Sequence, residues 1–178
     1  MNLPILNTER LRLEPISDSH LDGLLVLNSD PEVMRYITGK PQTREEAKAL
    51  IERVKRHWAE FGRSWWCFIE ISTNDIIGAG CVQYLGHDPA NPTELGWRLR
   101  KDKWHQGFAS EAARCMAEFA FNELNCTEVA AVCHPDNNAS AQVMKRLGMT
   151  YRGMEHWYDM DLPAYYMTKE QFLNWPRI

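Results

Sequence analysis

At 178 residues and 20.7 kDa, with 44% hydrophobic and 25% charged residues, the chain has the length and apolar content for one packed core, which excludes disordered and fibrous classes. A formal charge of -4, with Lys and Arg scattered, excludes the basic footprint of a nucleic-acid binder. No apolar run nears the roughly 18 residues that cross a bilayer, and Met1 to Asn7 lacks the basic and apolar regions of an export signal.

Leu11 and Leu13 alternate with charged residues over Glu9 to Glu14, the period of a half-buried strand. Ser17 precedes a helical stripe of Leu21, Leu24, Leu25 and Leu27, and Asp30-Pro31 opens a second, short helix. Thr43 and Glu46 have capping-box spacing, and Ala47, Leu50, Ile51, Val54 and Trp58 continue at helical period to Gly62. Trp65 to Leu85 reads as an antiparallel hairpin turning at Ser72 to Asp75, and Glu94 to Leu99 as the next strand, interrupted by Gly96.

Ser110 to Leu124 carries an apolar face of Ala112, Ala113, Met116, Phe119, Ala120 and Leu124, the strongest helix in the sequence. Val129 to Cys133 is a buried strand, Asn137 to Leu147 a helix stopped by Gly148, and Thr150 to Asp159 with Tyr165 to Thr168 a last strand pair turning at Pro163. Strand, helix, strand from Glu94 to Cys133 is a crossover, which makes its two strands parallel neighbours. We therefore expect an α/β fold with a mixed sheet flanked by helices, forming one domain over residues 1–178. Five cysteines without a CxxC pair point to a reducing cytoplasm. The histidines show no HxH or HxxxH spacing, so no metal site is expected.

The chemically informative segment is ELGWRLRKDKWHQGFASE, Glu94 to Glu111, where a strand passes through a loop with Gly107 and Ala109 into the long helix. A helix N-terminus offers unpaired N–H groups and about half a positive charge, which suits phosphate. The loop is neither a Walker A nor a Rossmann sequence.

ERLRLEP, DPEVMRYI, ELGWRL, WHQGFASEA and NNASAQVMKRLGM occur in that order. Together they resemble, over nearly the whole chain, the GNAT superfamily of acyl-CoA-dependent N-acetyltransferases. The likeness is greatest to the RimJ/RimL-type branch that acetylates protein N-termini. The resemblance implies a mostly antiparallel sheet with a parallel, splayed central strand pair, and acetyl-CoA as co-substrate without a metal. It aligns Trp104, Gly107 and Ala109 with the family's pyrophosphate loop, so the backbone from His105 through Gln106, Gly107, Phe108 and Ala109 to Ser110 would hold pyrophosphate. Trp104 stands where the family usually has a polar residue. Gly96 and Trp97, with Leu99 on the same strand, would meet the pantetheine arm and thioester, and Asn137 would contact the arm from the next helix. Met144 occupies the place of the family's acid tyrosine, and Ser140 matches a serine that the RimL pattern gives the acid role.

Only a neutral amine attacks a thioester, so a base is needed. Glu94 ranks first, Glu155 second and His134, at the carboxyl end of a strand, third. Trp65, Trp66, Phe68, Trp157, Tyr158, Tyr165 and Tyr166 are core or acceptor-groove aromatics. The loop Asp30 to Pro41 and the turn Asp159 to Ala164 are specificity segments, with Asp159 and Asp161 suited to a cationic acceptor. The expected activity is direct acetyl transfer to a protein N-terminal or small-molecule amine by a cytoplasmic monomer or homodimer. A non-catalytic acyl-CoA-binding module on the same fold is the alternative.

Overall fold

A computed structural model of the chain describes residues 2–176. Eight strands form one sheet: β1 (Leu6–Asn7), β2 (Leu11–Pro15), β3 (Trp65–Glu70), β4 (Ile76–Tyr84), β5 (Thr93–Leu99), β6 (Glu128–Val132), β7 (Thr150–Trp157) and β8 (Met160–Thr168). Their spatial order is β1-β2-β3-β4-β5-β6-β8-β7. Six α-helices are described: α1 (Leu21–Asn28), α2 (Pro31–Met34), α3 (Arg44–Phe61), α4 (Phe108–Asn122), α5 (Asn138–Arg146) and α6 (Lys169–Asn174).

Every neighbouring pair is antiparallel except β5 and β6, which α4 connects as a crossover. That parallel pair has a single register, Glu94 opposite Ala130. The expected mixed sheet with one parallel pair is present, and past that register the two strands no longer pair.

Local chemistry sets the helices. Thr43 and Glu46 cap α3 reciprocally, and Gly62 ends it at φ 63°. Ala112, Ala113, Met116, Ala117, Phe119 and Ala120 bury one face of α4. That face meets the sheet where Trp66, Phe68 and Gly80 lie, with Trp66 and Phe119 edge to face at 5.2 Å. Gly80 permits the approach: a Cβ there would stand 2.3 Å from the Phe68 ring, 2.7 Å from the Gly96 carbonyl oxygen and 2.9 Å from Met116. On the opposite face α1 packs against β4, and Asn28 at its end is fully buried.

Three differences from the sequence expectation have physical causes. The last hairpin turns at Tyr158 and Asp159, both with positive φ, and not at Pro163, which pairs with Met154 inside β8. β6 ends with Val132 opposite Ala164, so at Pro163 β8 has no neighbour on that edge and the missing N–H leaves no ladder bond unmade. β1 has two residues and α6 six, each too short to leave a periodic signal. α4 begins at Phe108, two residues before Ser110.

Gly80→Ala places a methyl against the immovable Gly96 carbonyl. It should cost about 1–3 kcal/mol of folding free energy in denaturant titration; an unchanged midpoint would contradict this packing.

Candidate active site

β5 and β6 are parallel, so their carboxyl ends lie at the same end of the sheet, where the chain continues into α4 and α5 respectively. The place where the pair stops pairing is therefore flanked by two helix N-termini. Gly96 and Trp97 are half-buried on the separating stretch of β5, and Leu99 is buried at its end.

The N-terminus of α4 has no side-chain cap. Gly107 occupies the cap position at φ 83°, in the region that favours glycine, and His105 precedes it at φ 60°. The first N–H groups of α4, from Phe108 to Ser110, thus stand at an unblocked helix start, and His105, Gln106 and Gly107 are exposed. The loop side chains serve the loop itself. Trp104 packs on the core and its Nε1 donates to the Leu99 carbonyl at 2.9 Å, while Gln106 Nε2 donates to the Asp102 carbonyl at 2.8 Å.

Arg10 and Glu111, which the sequence reading did not single out, brace this loop from outside. Arg10 Nη1 donates to the Gln106 carbonyl at 2.9 Å, and its guanidinium lies 4.1 Å over the Phe108 ring. Arg10 Nη2 and Nε each approach Glu111 Oε2 at 2.7 Å, and Thr8 Oγ1 and the Arg10 N–H donate to Glu111 Oε1. Burial pushes the Glu111 carboxyl up, but these donors together hold it below the ordinary carboxylate value.

Glu94 lies at the last closed register of the parallel pair and is 6% exposed. Its Oε2 accepts from Gln83 Nε2 at 2.9 Å and from the Tyr158 hydroxyl at 2.5 Å. The same hydroxyl accepts from the Gly86 N–H at 3.2 Å, and Gln83 Oε1 accepts from the Trp65 indole at 3.0 Å. Burial pushes the Glu94 carboxyl above its ordinary range against the pull of those two donors. Four residues along β5, Arg98 is also buried; burial lowers its guanidinium to about 10.

Glu155 shares the sheet face of Glu94, two strands beyond β6. It accepts from the Tyr166 hydroxyl at 2.8 Å and the Trp157 indole at 2.7 Å, and burial with this bond raises the Tyr166 phenol to about 12. His134 follows β6; its Nδ1 accepts from the Asp136 N–H at 3.1 Å, and its ring lies 5.0 Å from Tyr36 of the segment after α2. Asn137 caps α5, its Oδ1 accepting from the Ser140 N–H at 3.2 Å, which puts Ser140 in the first turn. Met144 is 1% exposed in the core, and Asp161 is paired with His156 at 2.8 Å.

Tyr158 was legible only as an aromatic, and Gln83 not at all, because both reach Glu94 through tertiary structure. Among the described residues no group of three or more His, Cys, Asp or Glu side chains is placed to hold a metal ion, and no helix is long and apolar enough to cross a membrane.

The described residues thus form a mixed sheet with one parted parallel pair, an uncapped helix start at its open end and a buried carboxylate at its closed end. The chain belongs to the GNAT acetyltransferases: the family model "Acetyltransferase (GNAT) domain" matches residues 10–150. It is 30% identical over 148 residues to the uncharacterised N-acetyltransferase YnaD of Bacillus subtilis (strain 168), covering 83% of this chain and 84% of that one. It is 29% identical over 193 residues to the FsC-acetyl coenzyme A-N(2)-transacetylase of Aspergillus fumigatus, covering 96% of this chain and 79% of the other. An acetyltransferase of Agrobacterium tumefaciens str. C58 shares the fold at TM-score 0.80 and 24% identity, covering 95% and 96% of the two chains. RimL, the ribosomal L7/L12 alpha-N-protein acetyltransferase solved with coenzyme A, shares it at TM-score 0.78 and 18% identity, covering 93% and 98%. The protein is an acetyltransferase.

Since the folded Glu111 carboxyl is held low, its stabilising contribution is full above the ordinary carboxylate range and is lost as pH falls through the folded value. Glu111→Gln should melt lower than the parent at pH 7, with the difference shrinking as pH falls through that value; equal melting curves at pH 7 would contradict the brace.

Proposed function

We propose that the protein transfers the acetyl group of acetyl-CoA directly to a primary amine, on a protein N-terminus as in the RimJ/RimL-type branch or on a small molecule. The observation that carries this reading is the juxtaposition at the parallel pair of a buried, hydrogen-bonded carboxylate, Glu94, with strands that separate beyond it toward an unblocked helix start.

Family membership supports acetyl-CoA as the donor, and the local chemistry fits it. Gly107 leaves the cap position without a side chain, so the backbone N–H groups from His105 to Ser110 can donate to pyrophosphate oxygens without displacing a capping group. A thioester supplies an activated acetyl carbonyl. Backbone at Gly96 and Trp97, no longer paired to β6, orients that carbonyl and donates to the oxyanion that develops on it. Asn137 and Ser140, at the start of α5, lie on the other side of the separation, where Ser140 serves as hydrogen-bond donor to the leaving sulfur. A thiolate leaves with little help, because a thiol's pKa is near 8.5, so the missing tyrosine at Met144 costs little.

Glu94 takes a proton from the substrate's ammonium, and the neutral amine so formed attacks the thioester carbonyl, with the thiolate as leaving group. Burial raises the affinity of Glu94 for that proton above that of an ordinary carboxylate, while Gln83 and Tyr158 hold the carboxylate oxygen in place. Glu155 lies two strands beyond β6, away from the parallel pair, and His134 Nδ1 is occupied by the Asp136 N–H.

Thiol release from acetyl-CoA across an amine panel, with mass spectrometry locating the acetyl group, tests the activity. Glu94→Gln should lower kcat about a hundredfold or more, while binding of acetyl-CoA persists; full activity would remove Glu94 as base. Only ionised Glu94 accepts the proton, so kcat/KM should rise with pH through a value above the ordinary carboxylate range. Tyr158→Phe removes a donor that favours the ionised form, so this limb should move to higher pH. A shift to lower pH would contradict the assignment.

A further inference from the structure

Arg98 stands four residues beyond Glu94 on β5, and alternation along the strand puts both on the same sheet face. It is 9% exposed. Its Nε donates to Asn28 Oδ1 at 2.8 Å, and its guanidinium carbon lies 4.7 Å from the centre of the Trp65 ring. Among the described residues its two terminal nitrogens make no hydrogen bond, and they are open to solvent, since the buried side-chain atoms left without a partner are Arg63 Nε and Ser64 Oγ; no carboxylate pairs with Arg98, and the ionisable groups that act on it are the Cys81 and Cys67 thiols and another cation, Arg53.

Keeping most of a guanidinium out of water without a carboxylate partner is costly, and the two outer nitrogens that still reach solvent are the ones a ligand can meet. The surroundings hold this one in place. Asn28 Nδ2 donates in turn to Gln42 Oε1 at 2.8 Å, and the indole N–H of Trp65, whose face receives the guanidinium, donates to Gln83, the residue that donates to Glu94. Thus one lane of fixed side chains runs from the unpaired cation to the proposed base. A planar guanidinium with both outer nitrogens free matches a carboxylate.

We propose that Arg98 is the acceptor-recognition residue, binding a carboxylate carried by the amine substrate, so that the substrate class is amines bearing a carboxylate several bonds away. The inference rests on the acetyl-transfer reading of Glu94. Strand rise sets the two residues about 13 Å apart, with Trp65 and Gln83 between them, which suits an ω-amino acid or a short peptide better than an α-amino acid bound by both of its own charges.

The test uses glycine, 6-aminohexanoate, diglycine and triglycine, each beside its carboxamide, and C-amidated Gly-Gly-Asp to separate a side-chain carboxylate from a terminal one. In thiol release the wild type should favour the longer free acids over their amides at least tenfold in kcat/KM. Arg98→Met should bring that ratio near one, and Arg98→Lys should retain part of it; a merely structural role would lower acid and amide alike. Calorimetry with N-acetyl-triglycine and its amide reads the same preference without turnover. If no amine releases thiol, the acetyl-transfer reading fails, and the calorimetric preference still decides whether Arg98 binds carboxylate. Equal handling of acids and amides by the wild type, absence of binding by both, or a preference that survives in folded Arg98→Met and Arg98→Lys overturns the proposal.

Discussion

The parallel pair β5 and β6 meets at one register, Glu94 opposite Ala130, and the rest of the site follows from that constraint. A sheet that continued to pair would bury both strand edges in ladder bonds. Here the ladder stops after one register and leaves backbone groups of both strands unpaired, and the crossover topology brings the starts of α4 and α5 to that same end. Gly80 and the small residues of α4 let the helix lie close under the sheet there, so the opening has a packed floor.

Buried polarity concentrates on the opposite face. Glu94, Gln83, Trp65, Arg98 and Asn28 form one connected set, with Tyr158 closing it from the last hairpin. A core built for stability alone would fill these positions with apolar groups, since taking ionisable groups out of water commonly costs more than their hydrogen bonds return. The tyrosine at positive φ in the Tyr158–Asp159 turn adds backbone strain at the same place. Glu94 and Arg98 are thus groups of opposite sign kept apart on one strand, each fixed by neutral partners.

The amphipathic periods of α3 and α4, the capping box of Thr43 and Glu46, the hairpin β3–β4 and the crossover were legible because they depend on residues near in sequence. The loop before α4 was legible for the same reason, through Gly107. Pro163 misled: proline punctuates turns in sequence, whereas an unpaired strand edge tolerates it equally well. The braces of the site stayed hidden because they join distant residues, Arg10 to Glu111 and Glu94 to Tyr158. Arg98 looked like one more charge in an alternating strand, and only burial against Trp65 distinguishes it.

We propose that backbone amides left free at the opened strand and the uncapped helix hold the acyl carrier. Amide hydrogen exchange with and without coenzyme A tests it most directly. Slowed exchange is expected, confined to the amides facing the opening between Gly96 and Leu99 and to those from His105 to Ser110. Unchanged exchange at both stretches under saturating coenzyme A, or protection located elsewhere, would contradict it.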